Sequence, residues 1–300
     1  MVHWLNKKYI LLFLSLLFVG SIFSQEDGVS PPVYKDYKDP EQFEKFYKRR
    51  KIVGAWQINE LKKGALVVRL KTEKLLIEAL LKAGNTSMAE KKRLERLAIN
   101  LNIMKAYRTY YNFSKVYFIY TSSNDSLLNG LRSRIFLDSN LVPDPNIAMT
   151  EDFYLIAETD FVYNSSIGFV KEDSARFVSE NGSTINREAP IVVKNKYGHQ
   201  LKKPFPYWTD KIPIRKAIFT EVVTINGVPI VFNVSGVIGA KKMATYTYEG
   251  EPLKLSIPYL FTYSLFSYFV TILNNNFQEY YRENPKPDLE KIGNIKPFLY

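Results

Sequence analysis

Residues 65–83 read ALVVRLKTEKLLIEALLKA, and this stretch decides the architecture. "ALVVRLK" is an apolar, β-branched run of strand length. Thr72 follows as a predicted N-cap for "EKLLIEALLKA", and Gly84 supplies the residue that ends a helix in the left-handed region. Ser87, Met88, Ala89 and Glu90 spell a capping box opening a second helix that runs to about Tyr111. Along it Leu94, Leu97, Leu101, Met104, Tyr107 and Tyr111 recur at steps of three and four, while Lys91, Lys92, Glu95 and Arg96 fall on the wet side.

"VYFIYT", Val116 to Thr121, is a second strand apolar on both faces. A strand, two helices and a doubly buried strand form a βαβ-type crossover, so these strands should run parallel. "RSRIFL" (132–137) and "FYLIA" (153–157) are expected as further short strands, with the Pro- and Asp-rich segment between them as loop. The ordered core should begin near Ala65.

The second half changes character. Asn226-Gly227 between β-rich runs signals a hairpin with a type I′ turn, and Pro229, which has no N–H, should lie where its strand is at an edge. Glu249-Gly250 marks a later turn. Ser256 to Gln278 carries no charge and is long enough to span a membrane. Yet at 100° per residue Ser264, Ser267, Thr271, Asn274, Asn275 and Gln278 gather in one sector, which favours a core helix with a narrow polar edge. The fold class expected is therefore α/β or α+β: a mixed sheet with an N-terminal strand–helix–helix–strand unit, a hairpin-rich second half and a C-terminal aromatic helix.

At the amino terminus Lys7 and Lys8 precede the apolar run Tyr9 to Phe23, followed by Ser24 and then charge. That order is a secretory signal peptide, and the run is short for a span. The expected layout is a signal peptide over 1–24, a basic linker and first helix over 25–60, and one globular α/β domain over 61–300. The chain has no Cys, so it carries no lipoprotein anchor, disulfide, thiol nucleophile or thiolate metal site. His199 is the single histidine after the leader, which leaves little material for a His-based metal centre or a Ser-His-Asp triad. The sequence points to no metal, cofactor or catalytic residue.

The net charge is +11, and with Lys7 and Lys8 removed about +9 remains. This favours an acidic partner or anionic surface, and export argues against nucleic acid. Lys48, Arg49, Arg50 and Lys51, in "KFYKRRK" (45–51), are candidate contacts, with a solvated linker as the bland alternative. In "IVVKNKYGHQLKKPFPYW" (191–208), Lys196-Tyr197-Gly198 reads as a hairpin loop and His199 as the start of the return strand, or else as a ligand contact. Phe205, Tyr207 and Trp208, held by two prolines, either cover the core or form a binding lip. In an open α/β sheet ligands sit beyond the carboxyl ends of parallel strands, which nominates Thr72 and the polar loop with Asn124 and Asp125. Asp138, Asp144, Asp152, Glu158 and Asp160 lie near strand ends, where two could meet as an acid–base pair.

The leader ending "FSQ", with "KKGALVVRLKT", "FVYNSSIGFV" and "VVKNKYGHQLKKPFPYW", resembles a set of exported proteins of Bacteroidetes-type bacteria. That resemblance implies lineage and a periplasmic or envelope location, and it brings no activity. The βαβ start is also similar to thioredoxin-like domains, of which, without Cys, only the scaffold is implied. The function expected is a non-enzymatic exported envelope protein that binds a partner or joins an assembly. The alternatives are a carboxylate-dependent hydrolase acting on glycan or peptidoglycan, and a peripheral binder of anionic membrane.

Overall fold

The computed structural model describes residues 40–163, 186–209, 216–225, 228–237, 243–248, 251–284 and 287. The stretch expected as a signal peptide, most of the segment expected as a linker, Asn226-Gly227 and Glu249-Gly250 lie outside these residues. The chain is a mixed α/β protein. Helix α1 (Pro40–Lys63) leads into β1 (Ala65–Leu70), then α2 (Lys74–Lys82), α3 (Thr86–Tyr110) and β2 (Lys115–Tyr120). A short helix α4 (Asn124–Leu128) and a long irregular stretch precede β3 (Tyr154–Tyr163), β4 (Asn186–Lys194) and β5 (Trp208–Thr209). The strands β6 (Lys216–Ile225), β7 (Val228–Val237), β8 (Met243–Tyr248) and β9 (Glu251–Pro258) precede α5 (Tyr263–Glu283), the aromatic C-terminal helix. No helix among the described residues is long and apolar enough to cross a membrane.

The five-stranded sheet has the order β2-β1-β3-β4-β5. β1 runs parallel to both β2 and β3, as the crossover requires, and β4 and β5 complete the sheet antiparallel. Alternate residues of β1 enter two different cores. Leu66, Val68 and Leu70 face the main core, built with Ile58 and Leu61 of α1, Ala98 to Tyr107 of α3, and Phe266, Phe269, Leu273 and Phe277 of α5. Ala65 and Val67 face a smaller core closed by Leu127, Ile135, Phe136 and Met149. Cover on both faces is the reason "ALVVRL" carries no alternation.

The second sheet, β6-β7-β8-β9, is antiparallel. The pair Ile225↔Val228 begins the β6–β7 ladder on either side of residues 226–227. β7 is an inner strand, but its ladder to β8 begins at Ile230↔Tyr248, so Pro229 sits one residue outside it and interrupts no hydrogen bond there. β9 delivers Ile257 to the main core beside α3.

Several expectations are corrected. The core begins in α1, which crosses the boundary drawn at residue 60 and buries Val53, Ile58 and Leu61. Thr72 is not a cap: α2 begins at Lys74 behind Glu73, which has a left-handed φ of 54° and pairs with Arg96. The cap of α3 is Asn85, whose side chain accepts from the Met88 N–H at 3.2 Å; Ser87 lies inside the first turn and Glu90 pairs with Arg93. Glu95, expected on the wet face, is buried against Lys92 at 2.6 Å. Residues 132–137 form isolated bridges at Ser133 and Leu137 instead of a strand. Gly84 does end α2, with φ 74°: Asn85 N–H reaches Leu80 O at 2.9 Å and Gly84 N–H reaches Leu81 O at 3.0 Å, the two bonds of a Schellman motif.

The C-terminal helix starts later than its uncharged run, because Ser256 to Pro258 belong to β9. Its polar edge has a partner. Asn274 Oδ1 accepts from the Asn112 N–H at 2.9 Å, and Asn274 Nδ2 donates to Asn112 Oδ1 at 3.0 Å, joining α5 to the end of α3. Ser267 is buried with it, whereas Ser264 and Asn275 face water.

Candidate functional site

The carboxyl ends of β1 and β4 and the middle of β3 carry a cluster of charges on the face that also holds the smaller core. Arg69 is the lone charge of β1. The parallel ladder aligns Val68 with Ala157, so the next residues, Arg69 and Glu158, are neighbours on one face. A register shift between Glu158 and Asp160 inserts one residue, and the final residue of β4, Lys194, lies opposite Ile156. Arg69 Nε donates to Glu158 Oε2 at 3.0 Å and its second terminal nitrogen binds Oε1, a two-point grip; its other terminal nitrogen donates to Asn124 Oδ1 at 2.8 Å. Lys194 Nζ lies 2.6 Å from Glu158 Oε1 and also binds Asp160.

The cluster is largely dry. The side chains of Glu158 and Lys194 are 7% and 11% exposed, and Asp160 is 26% exposed. Burial works to raise the Asp160 carboxyl, but hydrogen bonds from Lys194 and the Phe161 N–H, with the charges of Lys194 and Lys71, hold it below its ordinary value. Burial works to lower Lys194, and its bonds to Asp160 and Glu158 hold it above the ordinary lysine value. Two cations thus face two carboxylates, and the groups clamp β1, β3, β4 and the start of α4 together. An ionised carboxylate can accept hydrogen bonds but holds no proton to donate.

Of the residues nominated beyond the strand ends, Asn124 is in this cluster. Asp125 is exposed in the first turn of α4, and Thr72 is half-buried between β1 and α2. The polar stretch 121–126 is helical, a 3₁₀ turn followed by α4, where a loop was expected. Glu158 and Asp160 do meet, whereas Asp138 and Asp144 accept backbone N–H groups of their own turns and Asp152 is exposed. Arg69 and Lys194 went unnoticed in the sequence, although each is the lone charge of an otherwise apolar run, "ALVVRL" and "APIVVK".

His199 is exposed at the end of a loop organised by Asn195, whose Oδ1 accepts the N–H groups of Tyr197 and His199, both at 3.0 Å. Gly198 takes the left-handed φ of 81° that the turn needs, and Lys194↔Gln200 closes it. The expectation of surface contacts nearby is corrected. Phe205 packs in the main core against Phe277 and Tyr280 with ring centroids 5.5 and 5.8 Å apart. Tyr207 is buried too, and Trp208 is half-buried in β5. Of the basic segment, Arg50 is buried near Tyr207, so it is not a surface contact, while Lys51 is exposed. Lys48 and Arg49 belong to α1, and their side chains lie outside the described residues.

Two further polar places stand apart. Burial works to raise Glu151, yet hydrogen bonds from Lys115, Tyr117 and Thr150 hold it at about 2; Tyr117, which donates to Glu151 at 2.9 Å, is pushed up to about 12 by burial and by that contact. Burial alone lowers Lys202 to about 8. Among the described residues no group of three or more His, Cys, Asp or Glu could hold a metal ion. Compared with known proteins, the chain matches no family model, no curated protein and no solved structure.

Proposed function

We propose that this chain is a non-enzymatic exported component of the cell envelope that works by binding. The observation that carries the reading is the state of Glu158 and Asp160. They are the pair a carboxylate-dependent hydrolase would need, and both are bound by Lys194, with Glu158 gripped by Arg69 as well. A hydrolase of that class needs one carboxyl that keeps its proton near neutral pH, beside a second that is ionised. Here the neighbouring cations act in the opposite direction, and Asp160 is held low. The cluster is better suited to holding a sheet rigid than to donating a proton. The leader at 1–24 and the positive charge support an envelope location with an acidic partner or surface.

The test compares the wild-type chain with Glu158→Gln and Asp160→Asn on peptidoglycan and envelope glycan, following new reducing ends, alongside retention of envelope components at low and raised salt. No release by any of the three, with components retained, is the expected outcome. Release by the wild type that Glu158→Gln abolishes while its circular dichroism is unchanged would replace binding with hydrolysis.

A further inference from the structure

The helix α2, KLLIEALLK, is the described element whose composition and surroundings disagree most. Six of its nine residues are apolar, yet none is buried. Leu75 is 83% exposed, and Leu76 and Leu81 are about half exposed. Scattered exposed leucines are ordinary on a protein surface, but a helix that buries nothing while holding the adjacent pair Leu75 and Leu76 out from its first turn is a different case; Leu81 lies on the opposite side of the helix. With 3.6 residues per turn, Leu75, Leu76 and Ala79 share a sector about 100° wide. Ile77 and Leu80, the half-buried apolar residues, lie on the other side, and the helix rests against α3.

A nine-residue helix is marginal in water by itself. This one is held from both ends: the Schellman motif at Gly84 closes its carboxyl end, and the pairing of Glu73 with Arg96 ties its amino end to α3. The leucine face is therefore presented by a fixed scaffold and does not depend on a ligand to form.

The charge around that face is one-sided. Between residues 71 and 93 there are six Lys or Arg and three Glu. Glu73 and Glu90 are bound by Arg96 and Arg93, and Glu78 lies 3.7 Å from Lys74. Lys71, Lys74 and Lys82 are exposed. A second copy of the chain is a poor occupant, because a self-complementary contact would bring these lysines together around its axis. A convex helix with protruding leucines requires a matching groove in a protein partner, but a bilayer interface accepts it without matched shape. Lysines flanking such a face keep their ammonium groups at the headgroup level while the stems lie along apolar surface.

We infer that α2 is an interfacial anchor that lies in the headgroup region of an anionic lipid surface, with Leu75, Leu76 and Ala79 inserted and Lys71, Lys74 and Lys82 at the phosphates. This deepens the binding reading above, on which it rests, by naming the surface and the partner. It also moves the membrane contact from the basic segment at 45–51 to a helix the sequence marked only as part of the core crossover.

The experiment is flotation of the purified chain, in the form recovered from its host, with phosphatidylglycerol-containing and with pure phosphatidylcholine vesicles. The wild type, Leu75→Ser/Leu76→Ser and Lys74→Gln/Lys82→Gln are compared. The replaced side chains are exposed, and thermal unfolding of each variant checks that the fold persists. The expected result is binding to anionic vesicles that weakens with salt, falls roughly tenfold for each leucine replaced, and falls in the lysine variant on anionic vesicles alone. Equal binding by the wild type and the leucine variant would assign association to another part of the chain, such as the apolar leader, and overturn the inference. Failure to bind vesicles, with an envelope protein retained by the wild type and lost by the leucine variant, would also overturn it and leave the binding reading standing. Failure to bind vesicles, with a dimer in sedimentation that the leucine variant abolishes, would assign the face to self-association. Retention of neither vesicles nor envelope components would remove both readings.

Discussion

Lys194→Met is the most informative single change, because it removes the one cation bound to both Glu158 and Asp160 and keeps a straight chain of similar volume. Lys194 Nζ lies 2.6 Å from Glu158 and also binds Asp160, with its side chain 11% exposed. Removing one partner of a buried ion pair costs about 3–5 kcal/mol. Glu158 keeps Arg69, and Asp160 has some access to water, so the lower end applies, about 3 kcal/mol at pH 7. In the wild type, Asp160 is held low, so its contribution is present above the ordinary carboxylate value and lost as pH falls through the depressed one. Lys194 is held high, so its contribution is present below the ordinary lysine value and lost as pH rises through the raised one. Between these limits the cluster's contribution is flat. In the variant Glu158 keeps Arg69, while Asp160 keeps the Phe161 N–H and the charge of Lys71 but loses its one bonded cation, so burial and the neighbouring carboxylate raise the affinity of one of the pair for a proton above its unfolded value. The folded variant then binds more protons than its unfolded chain, and its stability rises as pH falls from 7 toward 5. Urea denaturation at both pH values measures this, read from the midpoint at constant slope. A deficit below about 0.5 kcal/mol at pH 7, or one that does not narrow on acidification, would refute the clamp.

Three further changes test the packing. Gly64→Ala places a Cβ 2.3 Å from the Phe153 carbonyl oxygen and 2.9 Å from that of Glu60, both backbone atoms, so the turn between α1 and β1 must move away from the backbone that leads into β3; a loss of about 3 kcal/mol in urea denaturation is expected, and a neutral result would contradict that close approach. Gly54→Ala meets the Tyr280 hydroxyl at 2.6 Å, the far end of one side chain, so a smaller loss of about 1–2 kcal/mol is expected; Tyr280→Phe in the same chain should restore part of it, and strict additivity would count against a direct clash. Glu151, held at about 2, contributes stability that is present above the ordinary carboxylate value and lost as pH falls from there toward 2. Glu151→Gln should lack that acid-limb loss, and an NMR titration placing Glu151 near 4 would remove the premise.

What could be read in the sequence followed from local chemistry. An unbroken apolar strand, two helices with a Gly84 stop between them, and a second such strand imply a parallel pair, which β1 and β2 form; β1 is covered on both faces, whereas β2, at the sheet edge, buries only Phe118 and Ile119. The uncharged C-terminal run carried its own polar edge, and Asn274 is where that edge meets Asn112. The helix starts were misplaced because several residues near each start can cap. Glu73 in the left-handed region and the side chain of Asn85 displaced Thr72 and Ser87, and the choice depends on how α2 and α3 pack. Aromatics beside prolines suit core or surface, so the sequence leaves Phe205 and Tyr207 open between the two, and a basic run reads as surface, which misplaces Arg50. The approach of α5 and α1 decided for burial.

By itself the sequence determined the βαβ order, the parallel strand pair, the hairpin loop at Gly198 and the chemistries that a chain without Cys excludes, since each depends on residues a few positions apart. The tertiary structure alone decided that Arg69, Asn124, Glu158, Asp160 and Lys194 share one site and that the leucines of α2 stay in water. Both outcomes rest on contacts between residues distant along the chain. Strand register sets the first, and the cover that α2 does or does not receive sets the second.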